Sequence, residues 1–436
     1  MIQMLPSVAV SAVVNSIRQF YDAGSGVTQT TMLGASGSVP ALYEDFTTGQ
    51  TLDPRITFTR ASNATRFDST GTLVTMANNE PRFNYDPVTL QPKGLLIEEQ
   101  RTNSIRNNTM QGAAVGTPGT FPTNWPSIGT GHGITSEIVG VGVEGGISYV
   151  DFRFTGTATN SNFTISAEGA LVIAAVNGQS WSGSWFMKIV SASAPPLNYV
   201  NRIRLNDSTG AGVGQIDTLF TPTTTLSRYV SAGTISIAGT AYVQPQIRFG
   251  MTIGSSYDFT VRIGMPQIEQ GAFATSVIPT SGAAATRAAD VAVMTGTNFS
   301  SWYRQNEGTL FVEVEGALAT ATYFVANFTD GTTEVASIRN FSNTARFTAQ
   351  GVPSASAGAT VPGQFYKAAF AFASGDQGMS VNGGSVLTGV TAITTAPTQL
   401  RIGQNVLGGS FLTAHYKRLT YYPRRLSNAE LQSITS

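Results

Sequence analysis

The chain has 436 residues, enough for about three domains of ordinary size, and its 25 basic and 25 acidic residues cancel. That balance leaves no electrostatic footprint for nucleic acid or for an anionic membrane surface. With no cysteine, thiol catalysis, disulfides and thiolate metal sites are excluded together; with 41% apolar residues, wholesale disorder is excluded too.

Glycine, serine and threonine are abundant, while lysine, glutamate and leucine are sparse. Helices favour Ala, Leu, Glu and Lys; strands and tight turns favour Val, Ile, Thr, aromatics and Gly. The expected fold is all-β. No run of about 18 apolar residues occurs, so no membrane insertion is expected. The start, MIQMLPSVAVSAVVNSIRQF, lacks the basic n-region of a signal peptide.

Residues 1–35 read as a separate segment: an apolar stretch, then GSGVTQTTMLGASGSVP, which has linker composition. An apolar terminal segment followed by a linker suits an anchor that docks on another protein. Residues 36–106 read as a short β-rich collar. ITFTR and TLVTM alternate with period two, and Asp68 to Gly71 and Tyr85-Asp86-Pro87 are turns. Residues 107–285 read as a first β-sandwich, with strands in SYVDFRFTG, QSWSGSWFMKIV, NRIRLND, AYVQPQIRFG and YDFTVRIGMPQIEQG. SGAAATRAAD (281–290) reads as a small-residue connector. Residues 291–436 read as a second sandwich, with hairpin turns at Asp376 to Gly378 and Asn382-Gly383-Gly384. Ser427 and Glu430 form a capping box that opens a short terminal helix.

Three blocks carry a resemblance. FTRASNATRFDSTGTLVTMANNEPRFNYDPVTLQPKGLLIEEQRTNSI and IGMPQIEQGAFATSVIPTSGAAATRAADV resemble tailed-phage virion proteins of the head spike fibre type. The last 130 residues or so, with YKAAFAFASGDQGMSVNGGSV and RLTYYPRRLSNAELQSI, are similar to concanavalin A-like (laminin G-like) lectin domains. The segment between the first two blocks resembles a carbohydrate-binding-module jelly roll. The resemblance implies tandem jelly-roll sandwiches on a virion surface, in a head spike, head fibre or tail appendage. Its implied partners are other virion proteins (capsid, portal/collar or tail), reached through residues 1–35, and surface glycans.

Two candidate sites follow from residue chemistry. In GLLIEEQRTNSIRNN, Glu98 and Glu99 stand beside Arg101. Glycoside hydrolysis needs two carboxyls facing one bond, but strand neighbours point to opposite faces. The expected role is a structural clasp, Glu98 or Glu99 paired with Arg101 or Arg60. The second candidate is a glycan face built from Phe186, Lys188, Arg202, Arg204, Tyr242, Gln244, Gln246 and Arg248. These residues alternate with Trp181, Trp185, Met187, Ile203, Leu205, Val243, Ile247 and Phe249 on three strands, so one face of each strand is core. Amides and guanidinium groups read sugar hydroxyls or carboxylates, and an aromatic face stacks on a sugar ring. The three strands build one platform only if they share a sheet.

Other motifs weigh less. His132 and His415 lack metal-ligand spacing, no Gly-x-Ser-x-Gly elbow occurs, and GVGVEGG (140–146) lacks the Lys-Ser/Thr of a phosphate loop. A structural calcium at Asp330, Asp376 or Asn206-Asp207 competes with ordinary turn chemistry. Trp125 and Trp302 read as packing at domain edges. No cofactor is required. The expectation is a non-enzymatic virion protein that binds glycans weakly and multivalently. A polysaccharide-degrading tail spike and a ligand-free decoration protein are the rivals. No heptads announce a coiled coil, which leaves a trimer through sandwich faces open.

Overall fold

The structure, a computed structural model, describes residues 39–129, 131–316, 322–350, 352–353, 356–408 and 410–436, with two further strands, Ile17–Tyr21 and Thr28–Met32. Those two strands pair antiparallel inside the segment read as anchor and linker; the rest of residues 1–35 lies outside the described residues. The fold is all-β, built from packed sheets with, among the described residues, two short helices, Thr297–Ser300 and Asn428–Thr435.

The chain divides into two compact units, one of residues 1–57, 293–412 and 416–436, the other of residues 58–292 and 413–415. In the second of these, a β-sandwich is built from two antiparallel sheets. One runs in the order Ile134–Glu144, Ile147–Thr157, Ser256–Gln270, Ser180–Ala194, Ser227–Thr234. The other runs Asn162–Ser166, Tyr242–Gly250, Asn198–Asn206, Gly212–Phe220. Their facing sides bury Trp185, Phe152, Phe154, Phe249 and Phe259 in one core. Burying each large apolar side chain contributes about 1.5–3 kcal/mol.

The residues before this sandwich cover its first sheet. The hairpin Ala64–Phe67 with Leu73–Met76 supplies Phe67 and Leu73, which pack with Ile147, Phe186, Met265 and Val277. Strand Arg82–Tyr85 pairs with Pro92–Ile97, and Arg101–Asn103 pairs with Ala285–Arg287. Trp125, expected at a domain edge, lies in the sandwich core, with its indole N–H donating to the Asn107 carbonyl at 2.9 Å and its ring set edge-on to Trp185.

The other unit is also a sandwich. One sheet holds Leu387–Gly389, Asp376–Val381, Phe365–Ala373, Glu307–Gly316 and Ala414–Tyr422. The chain's early strand Leu42–Asp45 joins it, with Leu42 opposite Tyr421. The other sheet holds Thr344–Ala349, Glu334–Phe341, Thr322–Thr329 and Gln399–Ile402. Trp302 is buried here with Phe299 and Tyr421, a core residue of its own unit. The terminal helix forms with the capping box read from sequence, and Leu431 seats against Phe311 and Ala371.

Candidate functional site

The eight residues expected to share a platform do not share one. Phe186 and Lys188 lie on Ser180–Ala194, in the first sheet; the other six lie on Asn198–Asn206 and Tyr242–Gly250, in the second. Alternation fixes which side of a strand a residue takes, and carries nothing about which sheet the strand joins. Phe186 is buried under the collar strands, with the Arg228 guanidinium 5.8 Å over its ring. Lys188 donates to Glu144 at 2.8 Å. Both are therefore removed from the glycan face.

The remaining six lie side by side. Gln246 stands opposite Arg202, Gln244 opposite Arg204 and Tyr242 opposite Asn206; Arg248 stands opposite Val200 on one side and Thr164 on the other. Directly paired residues share a face, with Cβ atoms about 5 Å apart. Gln244 and Gln246 are only 5% and 4% exposed, deeper than the sequence suggests. The segment after Ser166 folds over them. Gln244 donates to the Glu168 carbonyl at 2.8 Å, and Gln246 donates to Ser166 at 3.0 Å and to Gln244 at 3.2 Å. Glu168 is itself fully buried and grips Arg106. Arg202 is held by Asp217 through two bonds of 2.8 and 2.7 Å. Arg204 and Arg248 differ: both are half-buried, and neither has a hydrogen-bond or ion-pair partner among the described residues. With the amides committed, the half-buried Tyr242 ring and two uncommitted guanidinium groups are left to grip hydroxyls and a carboxylate.

A cavity of about 570 Å³ also opens in this sandwich, lined by Pro195, Pro196, Leu197, Tyr199, Leu219 and Phe220 among others. No charged residue lines it.

Glu98 stands in a closed cluster. Strand Pro92–Ile97 ends just before it, and Leu96 lies opposite Arg82, so Glu98 falls on the side that Arg82 takes. Its carboxylate accepts from Arg82 at 2.7 Å and pairs with Arg287 at 2.9 Å; it also accepts from the Ser276 amide at 2.8 Å and the Ser276 hydroxyl at 2.6 Å. The expected partners Arg101 and Arg60 are not its partners. Arg101 makes the expected pair with Glu99 instead, and Arg60 pairs with Asp290 at 3.1 Å. Asp290 also holds Arg82 and accepts from the Glu98 amide at 2.9 Å. Arg60 spends its other donors on the carbonyls of Ser62, Glu80 and Ala77. Burial alone would push the Glu98 carboxyl up; Arg287, Arg82 and Ser276 outweigh it and hold it well below the usual carboxylate range. Arg287 and Asp290 come from the stretch read as a small-residue connector, and both are buried. The sequence signal that could have found them is a pair of charges in an otherwise uncharged run.

The glycines of GVGVEGG have a structural use. Gly140 and Gly142 stand opposite Asp151 and Tyr149. A Cβ on Gly142 would lie 2.8 Å from the Tyr149 hydroxyl, and one on Gly140 2.9 Å from the Asp151 carboxylate. The space lets Arg262 stack 3.4 Å over the Tyr149 ring while holding Asp151. His132 packs against Phe163, and His415 is 2.8 Å from the Asn84 amide nitrogen. Asp330 accepts from its own turn amides, Thr332 and Thr333, and Asp207 from Thr209 and Ala211. Asp376 pairs with Arg425. Among the described residues, no group of three metal-ligating side chains converges.

One carboxyl pair has split protonation. Burial and the neighbouring Asp53 push Glu44 up to about 8, whereas Arg55, bonded to Asp53 at 2.9 and 2.6 Å, holds Asp53 low.

No protein-family model and no curated protein sequence matches the chain. Solved structures do. A mutant Trypanosoma rangeli sialidase displaying trans-sialidase activity matches at 16% identity and a TM-score of 0.29, over 34% of this chain and 26% of that one. The enzymatically active domain of bacteriophage CBA120 tailspike protein 4 matches at 13% identity and a TM-score of 0.22, over 34% and 20%. The tripod from the baseplate of bacteriophage Tuc2009 matches at 12% identity and a TM-score of 0.29, over 79% and 100%. The chain thus spans about a quarter of that sialidase and a fifth of that tailspike domain. No family membership follows at such identities. One expectation is nevertheless corrected: with a sialidase and an enzymatically active tailspike domain among the similar structures, the exclusion of enzymatic activity is withdrawn.

Proposed function

We propose that this chain is a tailed-phage virion appendage whose first sandwich binds surface glycans. The observation that carries the glycan reading is the uncommitted pair Arg204 and Arg248, set beside ordered amides and the Tyr242 ring on one sheet face. Guanidinium groups near a protein surface normally find an acid or a carbonyl, as Arg202 does here. Two left without one offer forked donors to a ligand. The sequence resemblance of the collar and connector blocks supports the virion assignment. In this reading the chain is a head spike, head fibre or tail component at the virion surface, and residues 1–35 attach it to another virion protein. Several copies convert weak single contacts into avidity. Glu98, Glu99 and Arg101 serve as the structural clasp that fixes the collar strands, as the burial of Glu98 between two arginines supports.

A glycan array on the full chain tests the binding. Arg204→Ala/Arg248→Ala should weaken captured glycans by about tenfold or more, the loss expected for one or two charge-assisted bonds. Unchanged binding in that variant sinks this face as the site. Gold-labelled antibody against the chain, imaged on virions, tests location. A parallel assay for reducing ends released from host polysaccharide decides whether binding is followed by cleavage.

A further inference from the structure

The second sandwich carries a polar face that the sequence did not single out. Register puts Thr348 opposite Ser337, Ser337 opposite Asn327, and Asn327 opposite Arg401, one row across four strands. In the neighbouring row Arg346 lies opposite Arg339, and Arg339 opposite Phe324. Side-chain contacts place both rows on one side: Arg339 donates to the Ser337 hydroxyl at 2.9 Å and lies 4.4 Å over the Phe324 ring. Arg346 lies 4.9 Å over Phe341. The residues between, Phe328, Ile338 and Phe347, turn into the sandwich core.

Most of the row is buried, and much of it is unmet. Asn327 is fully buried, and among the described residues neither its amide nitrogen nor its oxygen has a partner. Among the described residues the Thr348 hydroxyl and the Nε atoms of Arg346 and Arg401 are unpartnered as well. Buried polar groups nearly always find partners within a fold, so several such groups along two adjacent rows mark a place where a ligand completes the set. Charge points the same way. Arg339 has Glu334; Arg346 and Arg401 have no carboxylate among the described residues.

We propose that this face binds an acidic oligosaccharide laid across the strands. Its carboxylates meet Arg346 and Arg401, three strand spacings and two residues of strand length apart, about 16 Å. Its hydroxyls meet the Asn327 amide and the Thr348 hydroxyl between them. Asn327 and Thr348 are buried at rest, so binding moves neighbouring side chains off the row. The site belongs to the other unit and stands or falls independently of Arg204 and Arg248.

Calorimetry of the full chain with oligogalacturonate, against its methyl-esterified form, provides the test. Wild type should bind the acid form at least about tenfold more tightly. Arg346→Gln/Arg401→Gln should lose that preference, while Arg204→Ala/Arg248→Ala should keep it. Should the glutamine variant fail to fold, Arg346→Lys/Arg401→Lys keeps the charge, loses the fork, and should still weaken binding. Absence of wild-type binding, or equal binding by a folded variant, overturns the proposal. Equal affinity for polyphosphate overturns sugar recognition.

Discussion

Arginines do opposite things in two regions of this protein. Around Glu98, Arg60, Arg82 and Arg287 are at most 1% exposed, and each meets a carboxylate. On the outer face of the second sandwich, Arg346 and Arg401 are half-buried and meet none. The residue type is the same and so is the setting, on or beside a strand. What differs is whether the chain brings acids to the spot. Where it does, the guanidinium groups are sealed in and hold the fold; where it does not, they are left to find an acid elsewhere.

Removing acid from the closed cluster should have the largest effect. Glu98→Gln or Asp290→Asn strands buried guanidinium groups and should cost about 3–5 kcal/mol in urea unfolding. A loss below about 1 kcal/mol would erase the contrast between the two regions. Glu44 offers the reverse imbalance, two acids to one arginine, Arg55. Its carboxyl goes from 4.5 to about 8 on folding, so it holds a proton in the folded chain that the unfolded chain has lost. Its contribution is full below pH 4.5 and falls away as pH rises toward 8, on the order of 2–4 kcal/mol. Asp53 shifts the other way, and its contribution is complete before that window. Glu44→Gln should flatten the fall in melting temperature between those pH values.

A smaller effect would sharpen the contrast. Asn327→Asp gives the open row the acid it lacks, opposite Arg401. It should raise stability by about 1 kcal/mol and abolish acidic-sugar binding, turning the face into a second clasp. Smallest of all, Arg153 and Asp258 pair in the open, with side chains 44% and 43% exposed. Arg153→Ala should leave the melting temperature unchanged within error.

Much of the fold was legible in the sequence, because composition and period-two alternation report local demands. Trp181, Trp185 and Met187 face the core as alternation requires, and the capping box sits where Ser427 and Glu430 announce it. What alternation omits is long-range pairing. The eight-residue platform required Ser180–Ala194 and Asn198–Asn206 in one sheet, yet the two fall in facing sheets. Likewise, the acid that completes the Glu98 cluster lies 192 residues away. The row around Asn327 was hidden for another reason. A register shift between Phe324 and Ala326 changes the phase of that strand, so counting by twos mixes its two faces.

The discontinuity of the second sandwich also has a consequence in time. Leu42 pairs with Tyr421, so this strand waits at the ribosome for a partner made much later. At about 5–20 residues per second, the partner emerges on the order of 20–75 s later. The other unit is nearly continuous, residues 58–292 with only 413–415 added from afar, and can close during that wait. Synthesis order therefore lets residues 58–292 fold ahead of the strand that holds Tyr421, with 413–415 added last.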